Sequence, residues 1–235
     1  EHHDIENSTR LFETYVASYP DRPYLSQAQF YLAESLLKLA RQRRLEGRPE
    51  EADSLRQLAL QEHRILADAA AGEWSQKAQI RLIESSAEGA PDSLRYQLLE
   101  EGFAAFIDKH AGADSPHQDL ALLRLGDARR YLGKRQPAKL DEAVETYRQL
   151  QQQFPQSGFS SQALFGLGVC HARQGKHQAA ADSLARILRD YPGSPLSARV
   201  LFELGQLLLQ QGQWLEAKAR FRELLLAYPA FPERR

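Results

Sequence analysis

The sequence contains no methionine and a single cysteine, Cys170, so it can form no internal disulfide and offers no set of thiols at zinc-ligand spacing. Long apolar runs are absent too: no stretch of about eighteen apolar residues could cross a membrane as a helix, and no charged start leads into a short apolar segment. Charge of neither sign dominates. Thirty Lys and Arg against 31 Asp and Glu leave a formal net charge of −1, which excludes a global field that would draw in nucleic acid or an acidic membrane surface. Glycine-rich phosphate loops, nucleophile elbows and His pairs at metal-binding helical spacing do not occur. What is present is an ordinary globular composition, 43% hydrophobic and 26% charged over 235 residues, enough to bury a core. The missing Met at position 1, and a repeat that begins once more near the last residue, read as a piece of a longer protein. The opening Glu-His-His is left out of functional reasoning.

Phe154, Tyr191 and Tyr228 lie 37 residues apart, and each is followed by proline. Such a constant period marks a repeat. Two copies align without gaps. Leu164, Leu167, Gly168 and His171 lead into Gly175, Ala180, Leu184, Ile187 and Pro192; the same offsets give Leu201, Leu204, Gly205, Leu208, Gly212, Ala217, Phe221, Leu224 and Pro229. Spacings of three and four within each half put the apolar residues on one helix face, so each unit is two helices. Gly175 and Gly212 stand where the first helix must end, since glycine accepts the left-handed conformation that follows a helix. Gly168 and Gly205 lie inside the helical pattern, where glycine costs roughly 1 kcal/mol, and close approach of the paired helix is the compensation. Small Ala180 and Ala217 on the second helix allow Leu184 or Phe221 to interdigitate. Pro192 and Pro229 end that helix. A third unit, with five extra residues in its turn, runs from Leu122, Leu125 and Gly126 to Ala143, Tyr147, Leu150 and Pro155.

Upstream the pattern loosens. Residues 5–19 read as the second helix of an earlier unit, residues 24–47 and 48–72 as a hairpin broken at Gly47 to Pro49, and residues 74–87 and 91–110 as two more helices. The hairpin arms exceed twenty residues, roughly 30 Å, against about 24 Å for a sixteen-residue repeat helix. The expectation is one continuous all-α stack of about eleven helices with no strand, divided into longer-armed divergent repeats over 1–112 and regular repeats over 113–235.

The run of two leucines, glycine, small alanine, large apolar residue and terminal proline resembles the tetratricopeptide repeat, which implies a right-handed α-solenoid of antiparallel helix pairs. The period is three longer than the common repeat of about 34 residues, and the variant with Tyr-Pro or Phe-Pro followed by Ser and Ala is similar to repeats of bacterial cell-envelope proteins of the outer-membrane assembly and Tol-Pal accessory type. The resemblance implies a non-catalytic scaffold that binds a protein or peptide in its concave groove, in a periplasmic or outer-membrane-associated complex, with a cytoplasmic setting as the alternative. In that family the first helix of each pair lines the groove. The positions that match are Asp127, Arg130 and Tyr131 with Leu120 and Leu123; Gln162, Phe165 and Arg173 with Val169 and Ala172; and Arg199, Phe202, Gln206 and Gln210 with Leu209. Arg130, Arg173 and Arg199 would fork onto a carboxylate of the partner, or are ordinary solvated arginines; Phe165 and Phe202 are an aromatic anchor row, or pack on their neighbours. The Lys and Asn pattern with which some family members clamp a C-terminal carboxylate is missing.

No catalytic residues emerge. Cys170 and His171 are adjacent and point about 100° apart on a helix, and His171 fills a repeat position that packs against the partner helix. His110 and His117 flank a loop with Asp108 and Asp114, without the helical i, i+4 pair of zinc sites, and no metal or cofactor is assigned. Two alternatives stay open: the helical scaffold region of a larger enzyme, such as a cell-wall hydrolase, or of a signalling protein; and self-association, a dimer formed through the last helix with its Trp214, Phe221 and Leu225.

Overall fold

The computed structural model of the chain describes residues 2–20, 22–69, 72–112 and 115–231, and these form eleven helices with no strand among the described residues. They are α1 (His2–Ser18), α2 (Leu25–Leu45), α3 (Pro49–Asp68), α4 (Glu73–Ser86), α5 (Asp92–Lys109), α6 (Gln118–Leu132), α7 (Ala138–Gln153), α8 (Ser160–Arg173), α9 (His177–Asp190), α10 (Ser197–Gln210) and α11 (Trp214–Ala227). The chain divides into two compact units. One holds Glu1–Ala90 with Asp108–His117; the other holds Pro91–Ile107 with Gln118–Arg235, so all of α5 but its last two residues falls with the regular repeats.

In the first unit α2 and α3, 21 and 20 residues long, form the long hairpin expected from the sequence. Gly47 turns it at φ 76°. Pro49 opens α3 with a preset φ and no need for an N–H partner, and Glu50 and Glu51 follow where negative charge complements the helix dipole. Leu32, Leu36, Leu37 and Ala59 bury against Phe12, Val16 and Leu55, joining α1 to the hairpin; Leu66, Ala67 and Ala78 bury with Phe30, Trp74 and Leu82, joining α4. Polar ties cross this core as well. Arg81 on α4 donates to Glu34 on α2 through both Nε and Nη2, at 2.6 and 2.7 Å, and the fully buried His63 of α3 places Nε2 3.3 Å from the same carboxylate. Burial alone would raise the Glu34 carboxyl, but the neighbouring His63 imidazole and the Arg81 guanidinium outweigh it and hold it at about 2. In the segment after α5, Ser115 donates to Gln76 at 2.7 Å and His110 lies 3.0 Å from Gln79. Asp114, named with His110 and His117 above, lies outside the described residues.

The second unit is built on three successive hairpins, α6 with α7, α8 with α9 and α10 with α11. A single buried cluster runs from Leu122 on α6 through Tyr147 and Leu150, Leu164 and Leu167, Leu184 and Ile187 to Val200 on α10. The glycines inside the first helices sit where the repeat requires them. A Cβ at Gly126 would come within 2.6 Å of Tyr147, at Gly168 within 2.9 Å of Leu184, and at Gly205 within 2.7 Å of Phe221. In each pair, therefore, the missing side chain of the first helix makes room for the large residue of the second.

Gly175 ends α8 at φ 72°; its N–H donates to the Ala172 carbonyl at 3.1 Å and the Lys176 N–H reaches back to that of His171 at 2.9 Å. This six-to-one closure satisfies carbonyls the helix would otherwise leave open. A Cβ there meets nothing within 4 Å, so the cost of Gly175→Ala is purely that of the backbone, about 1–2 kcal/mol. Gly193 also has open space and lacks the positive φ, so in urea titrations of the two variants Gly193→Ala is expected to stay within about 0.5 kcal/mol of the parent. Equal losses at the two positions would refute the backbone argument.

Candidate functional site

The residues that the sequence places on the groove come from α6, α8 and α10, all in the second unit. Two contacts tie these helices along one side. Arg173 near the end of α8 donates from Nη1 to the carbonyl oxygen of Arg130 on α6 at 2.9 Å, and the Arg199 guanidinium of α10 lies over the Phe165 ring of α8, 5.2 Å from its centroid. The face is thus one surface from α6 to α10.

The ten candidate residues do different work on it. Asp127 and Arg130 face inward more than outward. Tyr147, fully buried on α7, donates its hydroxyl to Asp127 Oδ1 at 2.8 Å; Arg130 donates from Nε to the Tyr147 oxygen at 3.2 Å and from Nη2 to Asp127 Oδ1 at 3.0 Å. Burial would lower the Arg130 guanidinium, but Tyr147 and Asp127 more than compensate and raise it; burial, followed by the Asp127 carboxylate, pushes the Tyr147 phenol far above its ordinary range. Arg130 therefore spends its fork inside the fold, whereas the sequence left open a fork onto a partner or an ordinary solvated arginine. Tyr131 is engaged as well: its ring stacks on Tyr96 of α5 at 3.7 Å, its hydroxyl donates to Asp92 at 2.6 Å, and Lys134 sits 4.0 Å from its centroid.

Outward-facing positions begin at α8. Gln162, Arg173, Arg199, Gln206 and Gln210 are exposed, while Phe165 and Phe202 are half-buried. Phe165 packs its inner edge on the core cluster and takes Arg199 on its face; a guanidinium over a ring is held by the ring quadrupole. Phe202 meets Phe221 edge-on at 6.1 Å and Phe231 at 6.2 Å, so its packing partners lie on its own hairpin and the turn that follows it. Arg199 is further oriented by Glu203 at 3.6 Å.

The sequence reading missed Gly166. A Cβ at this position would lie 2.3 Å from Cζ of Tyr147, so the tyrosine of one hairpin reaches into the first helix of the next. The signal was there as a covariation between repeats: 37 residues on, Tyr147 becomes the shorter Leu184 and Gly166 becomes Glu203. His171 is buried, as its repeat position requires, and burial raises the Cys170 thiol to about 11, far from a reactive thiolate. No group of three or more His, Cys, Asp and Glu that could hold a metal occurs among the described residues.

Two tetratricopeptide-repeat models match the chain, over residues 123–195 and 173–234. No curated protein matches. Among solved structures, BtubC (BKLC) from P. vanneervenii superposes with a TM-score of 0.64 at 18% identity, over 100% of this chain and 94% of that one. The nearly identical TPR-like repeats of a putative kinesin light chain from Podosopora anserina give a TM-score of 0.56 at 21% identity, over 88% and 99% of the two chains, and a point-substituted form of the same repeats gives 0.57 at 20%, over 86% and 95%. At these identities the likeness is one of fold. Residues 123–234 carry tetratricopeptide repeats, and the fold of the chain is that of a tetratricopeptide-like repeat protein.

Proposed function

We propose that the chain is a non-catalytic interaction scaffold and that an extended peptide or protein segment lies across α8 and α10 of its second unit. Repeats of this kind are typically scaffolds that bind proteins or peptides, and the reading for this chain rests on one observation. Gln162, Gln206 and Gln210 are exposed on this face and make no side-chain hydrogen bond among the described residues, beside a phenylalanine already capped by an arginine. Free amides supply both donors and acceptors to a peptide backbone, the Phe165–Arg199 pair supplies an aromatic and cationic anchor, and Arg173 adds a second guanidinium that can fork onto a carboxylate. Asp127, Arg130 and Tyr131 hold the α6 end of the face in place.

Selection of a displayed random-peptide library on the chain tests this, with an R173E/R199E variant as the comparison. Both residues are exposed, but the variant removes the hydrogen bond to the Arg130 carbonyl and the contact with Phe165, so a loss of about 1 kcal/mol is expected and its thermal melt is taken first to show that it is folded. Selected peptides should carry an acidic residue and bind the variant about tenfold or more weakly. Peptides that bind both forms equally would place the site elsewhere. For the setting, we propose a complex of the bacterial envelope, supported only by the resemblance of the Tyr-Pro and Phe-Pro repeats; recovery of the protein in the cytosolic fraction of its native cell would refute it.

A further inference from the structure

A notch opens in the first unit because two neighbouring helices differ in length. α3 has 20 residues and α4 has 14, about 9 Å less helix. Where α4 stops, Arg56 of α3 donates to the Ser85 carbonyl oxygen at 3.2 Å, and α3 runs on from there to Pro49, past the end of α4. Leu37 and Ala40 of α2 and Ala52 of α3, 9, 6 and 1% exposed, floor a cavity of about 270 Å³ beside this end. The notch is internal to the unit, since α1 packs on the hairpin from one side and α4 from the other.

Three guanidiniums stand around this apolar floor, those of Arg41, Arg44 and Arg56. The acids that meet them are fewer. Glu88, in the turn after α4, lies 3.1 Å from Arg56 and 3.9 Å from Arg41, and Arg44 pairs with Asp53 of α3. Three cations against two carboxylates leave one positive charge in surplus. Arg41 carries it: its side chain is 71% exposed, and Glu88, its acid among the described residues, is held closer by Arg56. Gly89 adds a backbone donor. It lines the notch with a φ of 77°, and its N–H has no hydrogen-bond acceptor among the described residues.

We propose that the notch binds a monocarboxylate with a compact apolar body, and that Glu88 holds the place of the incoming acid. A guanidinium forks onto a carboxylate through two parallel N–H donors, and Arg41 offers that fork once Glu88 gives way. Charge decides between occupants. One surplus cation matches a carboxylate, whereas a phosphate monoester, with nearly two charges at neutral pH, would bring close to one too many. A bare anion would leave Leu37 and Ala40 uncovered, so the apolar body is part of the fit. The volume falls just under the roughly 300 Å³ at which pockets for whole small-molecule ligands begin, which suits one branched side chain with its acid. The site belongs to the first unit and is independent of the reading of α8 and α10.

The test titrates N-acetyl-leucine into the isotope-labelled full chain and follows the backbone amides by NMR. Those of Ala40, Ala52 and Gly89 are expected to shift together. N-acetyl-leucinamide, which lacks the acid, and acetate, which lacks the apolar body, should bind about tenfold or more weakly. R41Q should weaken N-acetyl-leucine about threefold or more, and E88Q should tighten it by a similar factor, because one removes the fork and the other the competing acid. E145Q takes an exposed carboxylate from Arg148 in the second unit and controls for general charge; it should change nothing. These side chains are exposed or nearly half exposed, and an unchanged spectrum away from the notch shows that each variant is folded. An acetylated Leu-Glu-Leu amide carries its acid on a side chain. Tighter binding than N-acetyl-leucine names an acidic residue within a partner segment as the source, weaker binding a free or terminal acid, and either supports the site. The proposal is overturned if the acid and its amide bind equally, if no amide of the notch shifts, if E88Q fails to tighten binding, or if E145Q tightens it as much.

Discussion

Tyr147→Ala is expected to destabilise the second unit by about 3–5 kcal/mol, the range for removing a fully buried aromatic side chain. The ring fills a space bounded by two glycines, Gly126 on its own hairpin and Gly166 on the next, and its hydroxyl bridges Asp127 and Arg130. Gly166→Ala should cost about 1–3 kcal/mol in the parent chain, because the new methyl group would lie 2.3 Å from a ring that has nowhere to go. In a Tyr147→Ala background the same methyl enters an emptied space, and the cost should vanish or change sign. Urea unfolding followed through Trp214, in a W74F background, gives the cycle. Additive losses would mean that tyrosine and glycine do not share that space. Tyr147→Phe isolates the hydroxyl and is expected to cost about 1–3 kcal/mol, since it leaves Arg130 Nε without its acceptor and Asp127 Oδ1 with Arg130 Nη2 as its remaining donor in a half-buried place.

Arg81→Met is expected to cost the first unit about 3 kcal/mol. It removes both hydrogen bonds that Arg81 gives Glu34 and leaves a mostly buried carboxylate with only His63 beside it. Replacing the pair together, Glu34→Leu with Arg81→Met, should recover most of the loss, because no charge is then stranded. The same group carries an acid signature. Glu34 is held at about 2 against its ordinary 4.5, so the folded state binds this proton less readily than the unfolded one. Its contribution is complete above about 4.5 and is lost as pH falls toward 2, with a total of about 3 kcal/mol. Urea midpoints between pH 5 and pH 2, read from Trp74 in a W214F background, should fall less steeply in Glu34→Gln than in the parent. Parallel slopes would show that Glu34 is not the group responsible.

Much of the fold was legible because repetition turns one sequence into several readings of the same structure. Gly168 and Gly205 could be placed against Leu184 and Phe221 from two gapless copies, and Gly126 against Tyr147 from a third with a longer turn. The helices of the first unit came within a few residues from their apolar spacing, and Pro49 and Gly47 marked the one sharp turn between them. The candidate face was legible only as a set of positions. Sequence offsets brought Arg130, Arg173 and Arg199 to the same side of the first helices; they carried no information on which guanidinium was already spent. Arg130 is spent on Asp127 and Tyr147, while Arg173 gives one N–H to a backbone carbonyl and Arg199 lies over Phe165, and both of these keep donors on the exposed face.

Local periodicity, turn glycines and helix-ending prolines depend on interactions between residues near in sequence, so the sequence by itself determined the helices, their pairing into hairpins and the repeat family they resemble. The tertiary structure alone decided which side chains are free to meet a partner, because that depends on contacts between residues far apart in the chain. Glu34 finds Arg81 and His63 on two other helices, and Tyr147 reaches past its own hairpin to Gly166.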